Sequence, residues 1–186
     1  MNITFSRCRD TSDALMDAAM ALYRASFPSH ELRLWDDQQA VMSDPAYHFD
    51  MCLTDGALAG LILYWDFGSY IYVEHFCVEP SMRGHGLGTL ILAELAKKSK
   101  PIILEIDPPE DEISVRRQHF YQRLGFVANP YAYIHPSFRR PFHPHRLVLM
   151  SYPEALTYEE ARGFADFIRE RVLRYSEHEN PELPRL

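Results

Sequence analysis

The segment Glu79-Pro80-Ser81-Met82-Arg83-Gly84-His85-Gly86-Leu87-Gly88-Thr89 carries three glycines, each separated from the next by one residue. Upstream, Tyr70 to Val78 is rich in aromatic and β-branched residues and reads as a strand. Downstream, Leu87, Leu90, Ile91 and Leu95 recur at helical spacing. A glycine-rich elbow between a strand and a helix is suited to hold an anion. Residues without Cβ let a ligand approach the backbone, and the opening helical turn offers unpaired N–H groups at the positive end of its dipole. Phosphate is the usual guest. Two familiar phosphate loops do not fit, because no Gly-Lys-Ser/Thr follows the glycines and the motif lies mid-chain instead of opening a βαβ unit. What remains is Arg-x-x-Gly-x-Gly at Arg83, Gly86 and Gly88.

A second pattern follows. Ile102 to Asp107 reads as a buried strand, and after a proline break comes a helix ending in Phe120-Tyr121-Gln122-Arg123-Leu124-Gly125-Phe126. The two motifs, in this order and at this distance, resemble the signatures of the GNAT superfamily of acyl-CoA-dependent N-acyltransferases, over roughly Tyr70 to Phe126. The resemblance implies an α/β fold: a mixed, mostly antiparallel central sheet flanked by helices. It also implies acetyl-CoA as cosubstrate. Its pyrophosphate would rest on the backbone of Arg83, Gly84, His85, Gly86, Leu87, Gly88 and Thr89, with the Arg83 side chain adding charge. The backbone of Phe76, Cys77 and Val78 would pair with the pantetheine arm like an added strand.

The same resemblance assigns Tyr121 as the general acid beside the CoA sulfur; packing in an apolar face with Phe120 and Leu124 is the alternative. Ser114 stands where family members often carry a cofactor-binding Asn, and Arg117 replaces a usual small residue. Glu74 and Tyr72 match positions of a base or a water relay, against the alternative that Glu74 forms a structural ion pair with an arginine. Alternation would set Tyr70, Tyr72, Glu74, Phe76 and Val78 on one face and Ile71, Val73, His75 and Cys77 on the other, unless a bulge intervenes.

The expected activity is transfer of an acetyl group to a primary amine of a small molecule or peptide, and polyamine, antibiotic, amino-acid derivative and peptide N-terminus all stay open. A non-catalytic acyl-CoA-binding or interaction domain is the alternative. The 186 residues, 47% hydrophobic, suffice for one domain, expected over 1–175 with a flexible tail over 176–186. A formal charge of −7 argues against a nucleic-acid partner. No apolar run approaches 18 residues and no signal-like segment opens the chain, so no membrane partner and a cytoplasmic location are expected. Cys8, Cys52 and Cys77 read as reduced core residues.

The elements that must position these groups follow from pattern. Ile3 to Arg9 reads as a strand. Thr11, Ser12 and Asp13 offer capping for a helix through Leu15, Ala19, Leu22 and Ser26, which Pro28 stops. Ser29 is expected to cap a second helix carrying Leu32, Trp35 and Met42. By the resemblance, Phe27, His30, Glu31, Arg33 and Trp35 in this region wall the acceptor side.

Tyr47 to Thr54 and Ala57 to Phe67 form a hairpin about Asp55-Gly56. Strands are expected over Phe126 to Tyr133 and Arg146 to Tyr152, joined by a proline-rich loop over 134–145 that would act as an acceptor-facing lid. No metal is expected: the acidic stretch Asp107 to Glu112 reads as a loop, and His143-Pro144-His145 has no carboxylate or cysteine close in sequence. Thr157-x-x-Glu160 opens an extra C-terminal helix with Ala161, Phe164, Ala165, Ile168 and Val172 on its apolar face, which packs on the sheet or supports a homodimer.

Overall fold

Asp55 and Gly56 both take positive φ, 50° and 78°, the pair that a tight two-residue hairpin turn requires, and they join β2 (Tyr47–Thr54) to β3 (Ala57–Phe67). The computed structural model describes residues 2–9 and 14–177. The chain is α/β and divides into two compact units, Met1–Ser29 with Gln39–Lys100 and His30–Gln38 with Pro101–Leu186. Five α-helices and eight strands occur among the described residues.

In the first unit, β1 (Thr4–Cys8), β2, β3 and β4 (Tyr70–Val78) pair antiparallel in chain order. Helix α1 (Met16–Ser26) packs on β3 through a buried face that includes Met16, Ala19, Met20 and Tyr23. The expected caps Thr11, Ser12 and Asp13 lie outside the described residues. Cys8, Cys52 and Cys77 are free thiols in the interior, as expected.

Gly60 of β3 allows a close approach that composition did not announce: a Cβ there would press into the Cys77 carbonyl oxygen of β4. A backbone atom in a paired strand cannot step aside. Gly60→Ala is therefore expected to lower unfolding free energy by about 1–3 kcal/mol, the usual range for overpacking, as read by urea denaturation.

In the second unit, β8 (His145–Tyr152) is antiparallel to β5 (Ile102–Ile106), β6 (Val127–Ala128) and β7 (Tyr133–His135). Helix α4 (Glu112–Arg123) contacts β5 and β6. Helix α5 (Tyr158–Glu170) starts from the expected capping box, in which Thr157 N donates to Glu160 Oε2 at 2.7 Å. It packs on β7, the Phe164 ring lying 5.8 Å from that of Tyr133. No described helix is long and apolar enough to cross a membrane.

Three expectations change. The helix foreseen from Ser29 is instead a short 3-10 turn, Ser29–Glu31, followed by α2 (Trp35–Met42). The carbonyls of Leu32 and Arg33 accept from the Arg139 guanidinium, at 2.8 and 2.6 Å. Those contacts hold the chain open before α2 begins.

The strand foreseen over Phe126 to Tyr133 breaks after Ala128. Asn129 turns its amide onto Leu149 O and Ser151 Oγ, both at 3.0 Å, and its Oδ1 accepts from Leu156 N at 2.7 Å; Pro130 follows with no N–H to give.

The third change lies in β4. Leu63 opposes His75 while Tyr64 opposes Val73, so Glu74 is an extra residue in a β-bulge. Opposed residues share a face, which puts Tyr70 and Tyr72 with His75 and Cys77, and Ile71 and Val73 with Phe76 and Val78. The single face foreseen for Tyr70, Tyr72, Glu74, Phe76 and Val78 does not form.

Candidate functional site

At the end of β4 the chain makes a 3-10 turn over Pro80–Met82 and then the glycine elbow. Gly84 and Gly86 have φ of 82° and 75°, in the left-handed region, and Gly86 is the N-cap of α3 (Leu87–Ala96). The first intrahelical bond runs from Leu90 N to Gly86 O, at 3.1 Å. The N–H groups of Leu87, Gly88 and Thr89 thus have no acceptor one turn earlier, and no acidic residue occupies the first turn. Gly88, by contrast, is helical; its lack of a side chain does not serve a positive φ. Arg83 is exposed and folds back on the end of β4, Nε donating to Val78 O at 3.1 Å. The exposed His85 places Nδ1 3.3 Å from Met82 O. Burial raises the Cys77 thiol pKa, so this residue carries a protonated thiol at neutral pH.

The bulge gathers a polar chain in the same unit. Trp65 Nε1 donates to Glu74 Oε2 at 2.9 Å, and Glu74 Oε1 lies 3.4 Å from His75 Nδ1. The Tyr23 hydroxyl is 3.4 Å from that same nitrogen, and the Tyr23 and Phe27 rings meet the His75 ring edge to face. The Glu74 side chain is only 1% exposed. Sequence reasoning missed His75 because strict alternation directed it away from Glu74, and it did not single out Trp65 or Tyr23. A signal for Tyr23 existed in the helical spacing of Met16, Met20 and Tyr23 along α1, continued by Phe27 just past its end.

In the second unit, Tyr121 lies near the end of α4, where Phe126 N donates to Tyr121 O at 3.1 Å and Gly125 turns the chain with φ of 88°. The Tyr121 ring meets those of Phe120 and Phe126, and burial pushes its hydroxyl pKa up to about 12, against a small lowering by Arg117. The phenol therefore keeps its proton across the neutral range. Ser114 is buried in the helix cap: its hydroxyl accepts from Glu110 N and Asp111 N, at 3.1 and 3.0 Å, and lies 2.9 Å from Asp111 Oδ1. Those partners use its hydrogen-bonding capacity. Arg117 pairs with Asp107 at 2.5 Å. Asp107 also meets His145 Nε2 at 3.1 Å, and that hydrogen bond is the main cause raising the His145 pKa, with Glu31 adding to it.

Residues 12–126 match the family described as the acetyltransferase (GNAT) family. The Bacillus subtilis (strain 168) protein YjbC, assigned by its name to the acetyltransferases, is 32% identical over 102 residues, 54% of this chain and 52% of that protein. The match thus spans about half the length of this curated relative. Among solved structures, a GNAT-family protein from Bacteroides thetaiotaomicron superposes with a TM-score of 0.84 at 29% identity, covering 91% of this chain and 98% of that one. A GNAT family acetyltransferase from Elizabethkingia anophelis, solved with acetyl-CoA bound, has a TM-score of 0.55 at 16% identity over 81% of this chain and 97% of that one.

Proposed function

Since the chain belongs to the acetyltransferase (GNAT) family, we propose that it moves the acetyl group of acetyl-CoA directly to a primary amine of a small molecule or peptide. The observation that carries this is the elbow: Gly84 and Gly86 in the left-handed region, immediately before a helix whose first turn holds no acid. Such a turn favours a pyrophosphate. Acetyl-CoA bound in the Elizabethkingia anophelis structure supports that choice of cosubstrate.

In the reaction, the amine nitrogen attacks the thioester carbonyl, the C–S bond breaks, the nitrogen loses a proton, and CoA leaves as a thiolate that takes its proton from solvent. Backbone N–H groups from Arg83 to Thr89 hold the pyrophosphate, and the backbone of Phe76, Cys77 and Val78 holds the pantetheine arm. Glu74 takes the proton of the ammonium form, directly or through water. Trp65 Nε1 and His75 Nδ1 orient its carboxylate, and the Tyr23 hydroxyl meets that same His75 nitrogen. Tyr121 serves the departing sulfur. A phenol with pKa near 12 transfers its proton only uphill to a thiolate whose pKa is about 8.5. Its contribution is then a hydrogen bond that strengthens as charge develops on sulfur.

Tyr121→Phe is accordingly expected to lower kcat by about 10²-fold, at the low end for loss of one hydrogen-bond donor to developing charge, with little change in acetyl-CoA affinity. Single-turnover kinetics alongside calorimetry would check it. An unchanged rate of the chemical step would return Tyr121 to packing against Phe120 and Phe126.

The burial of the Glu74 carboxylate against Trp65 and His75 favours one other reading, an acyl-CoA-binding domain without turnover. Thiol release from acetyl-CoA, measured with a panel of polyamines, aminoglycosides, amino-acid derivatives and peptides, separates the two. Saturable turnover with any amine supports the enzyme; acetyl-CoA binding with no turnover supports the binding domain.

A further inference from the structure

We propose that His30, Glu31 and His145 form a binding site for a divalent ion of the zinc class, with Asp107 as the outer partner that orients His145. Glu31 Oε1 lies 3.7 Å from His30 Nε2 and 3.6 Å from His145 Nδ1. One donor atom from each of the three residues falls within 4.8 Å of the others. Tetrahedral zinc with bonds of about 2.0–2.1 Å sets its ligand atoms roughly 3.3 Å apart. Both carboxylate–imidazole edges are therefore within about 0.4 Å of that spacing. The imidazole–imidazole edge, no longer than 4.8 Å, closes by rotation of the His30 side chain, which is 39% exposed. The same exposure leaves an approach for the ion and a fourth position for water.

Two further observations separate this cluster from a chance meeting of surface groups. If Nδ1 of His145 faces the ion, its Nε2 faces Asp107 Oδ1 at 3.1 Å, and Asp107 is itself held by Arg117. This is the carboxylate–histidine–metal arrangement that fixes ring orientation and tautomer in metal sites. The backbone also brings the ligands together without help from an ion. Phe138 N donates to His30 O at 3.2 Å, Arg139 binds the carbonyls of Leu32 and Arg33, and His145 is fixed opposite His135 in the β7–β8 ladder. Little ordering is left for the ion to impose.

The test is calorimetric titration of tag-free, chelator-treated protein with Zn²⁺ alone, in a non-coordinating buffer. One ion should bind per chain with Kd of about 1 μM or below. The saturable heat should vanish in His30→Ala and in His145→Ala, each checked for native circular dichroism. Asp107→Asn should weaken binding by about 10–100-fold, as expected for an outer partner. Co²⁺ added to the wild-type protein should give the visible absorption of a tetrahedral site. Absence of a saturable heat in the wild type would overturn the proposal. So would binding that survives both histidine variants, since it would then belong to other surface groups.

Discussion

Gly86→Val is expected to weaken acetyl-CoA binding by about 10²-fold or more, equivalent to roughly 2.7 kcal/mol, in a protein that still folds. Gly86 sits at φ 75° as the N-cap of α3, and a β-branched residue is a genuine outlier there. Nothing lies within 4 Å of the Cβ that would be added, so the substitution meets no clash with described protein atoms. The elbow must either bear the strain or relax and redirect the N–H groups of the first helical turn. In both cases the side chain stands where a pyrophosphate has to approach the backbone.

Gly86→Asn separates the two effects. Asn tolerates the left-handed region, so its melting temperature should stay close to wild type while affinity still falls. Gly88→Val should cost less binding than Gly86→Val, because Gly88 is helical and its substitution reorients no elbow. Calorimetry with acetyl-CoA checks all three variants. A folded Gly86→Val protein with wild-type affinity would show that the elbow is not the phosphate cradle.

Glu74→Gln is expected to lower kcat/KM by roughly 10²-fold near neutral pH, within the range for a general base. An amine with pKa near 10 is almost wholly protonated at pH 7, and attack needs the free base. Gln preserves shape and can still accept from Trp65 Nε1, but it takes up no proton. The deficit should therefore shrink as pH rises and solvent supplies free amine. If Glu74 instead serves only to hold the bulge, through Trp65 and His75, the variant should melt lower and its pH–rate profile should keep the wild-type form. Paired pH–rate and melting measurements distinguish these outcomes. The second pattern would leave the base to water or to Tyr72.

Much of the scaffold was legible from local chemistry. Asp55-Gly56 announced its hairpin because few residue pairs tolerate two positive φ values in succession. Pro28 announced the end of α1, Gly125 the end of α4, and Thr157 with Glu160 the start of α5. The glycine elbow was legible for the same reason: Gly84 and Gly86 occupy backbone conformations that other residues rarely adopt. Each of these signals acts within a few bonds of the residue that carries it.

What only the tertiary structure decided involves partners far apart in the chain. The bulge at Glu74 is a property of the pairing between β3 and β4, and a single strand read by alternation cannot reveal where its neighbour slips by one residue. That slip turned Glu74 and His75 into neighbours on one polar chain with Trp65 and Tyr23. Arg139 opened the segment before α2 by binding carbonyls more than one hundred residues away, where helical spacing alone had suggested a continuous helix. His145 has no carboxylate close to it in sequence, yet folding brings it Glu31 and Asp107. Local propensity depends on the torsions of a few residues, whereas register, bulges and ligand clusters depend on which distant groups satisfy each other's hydrogen bonds and charges.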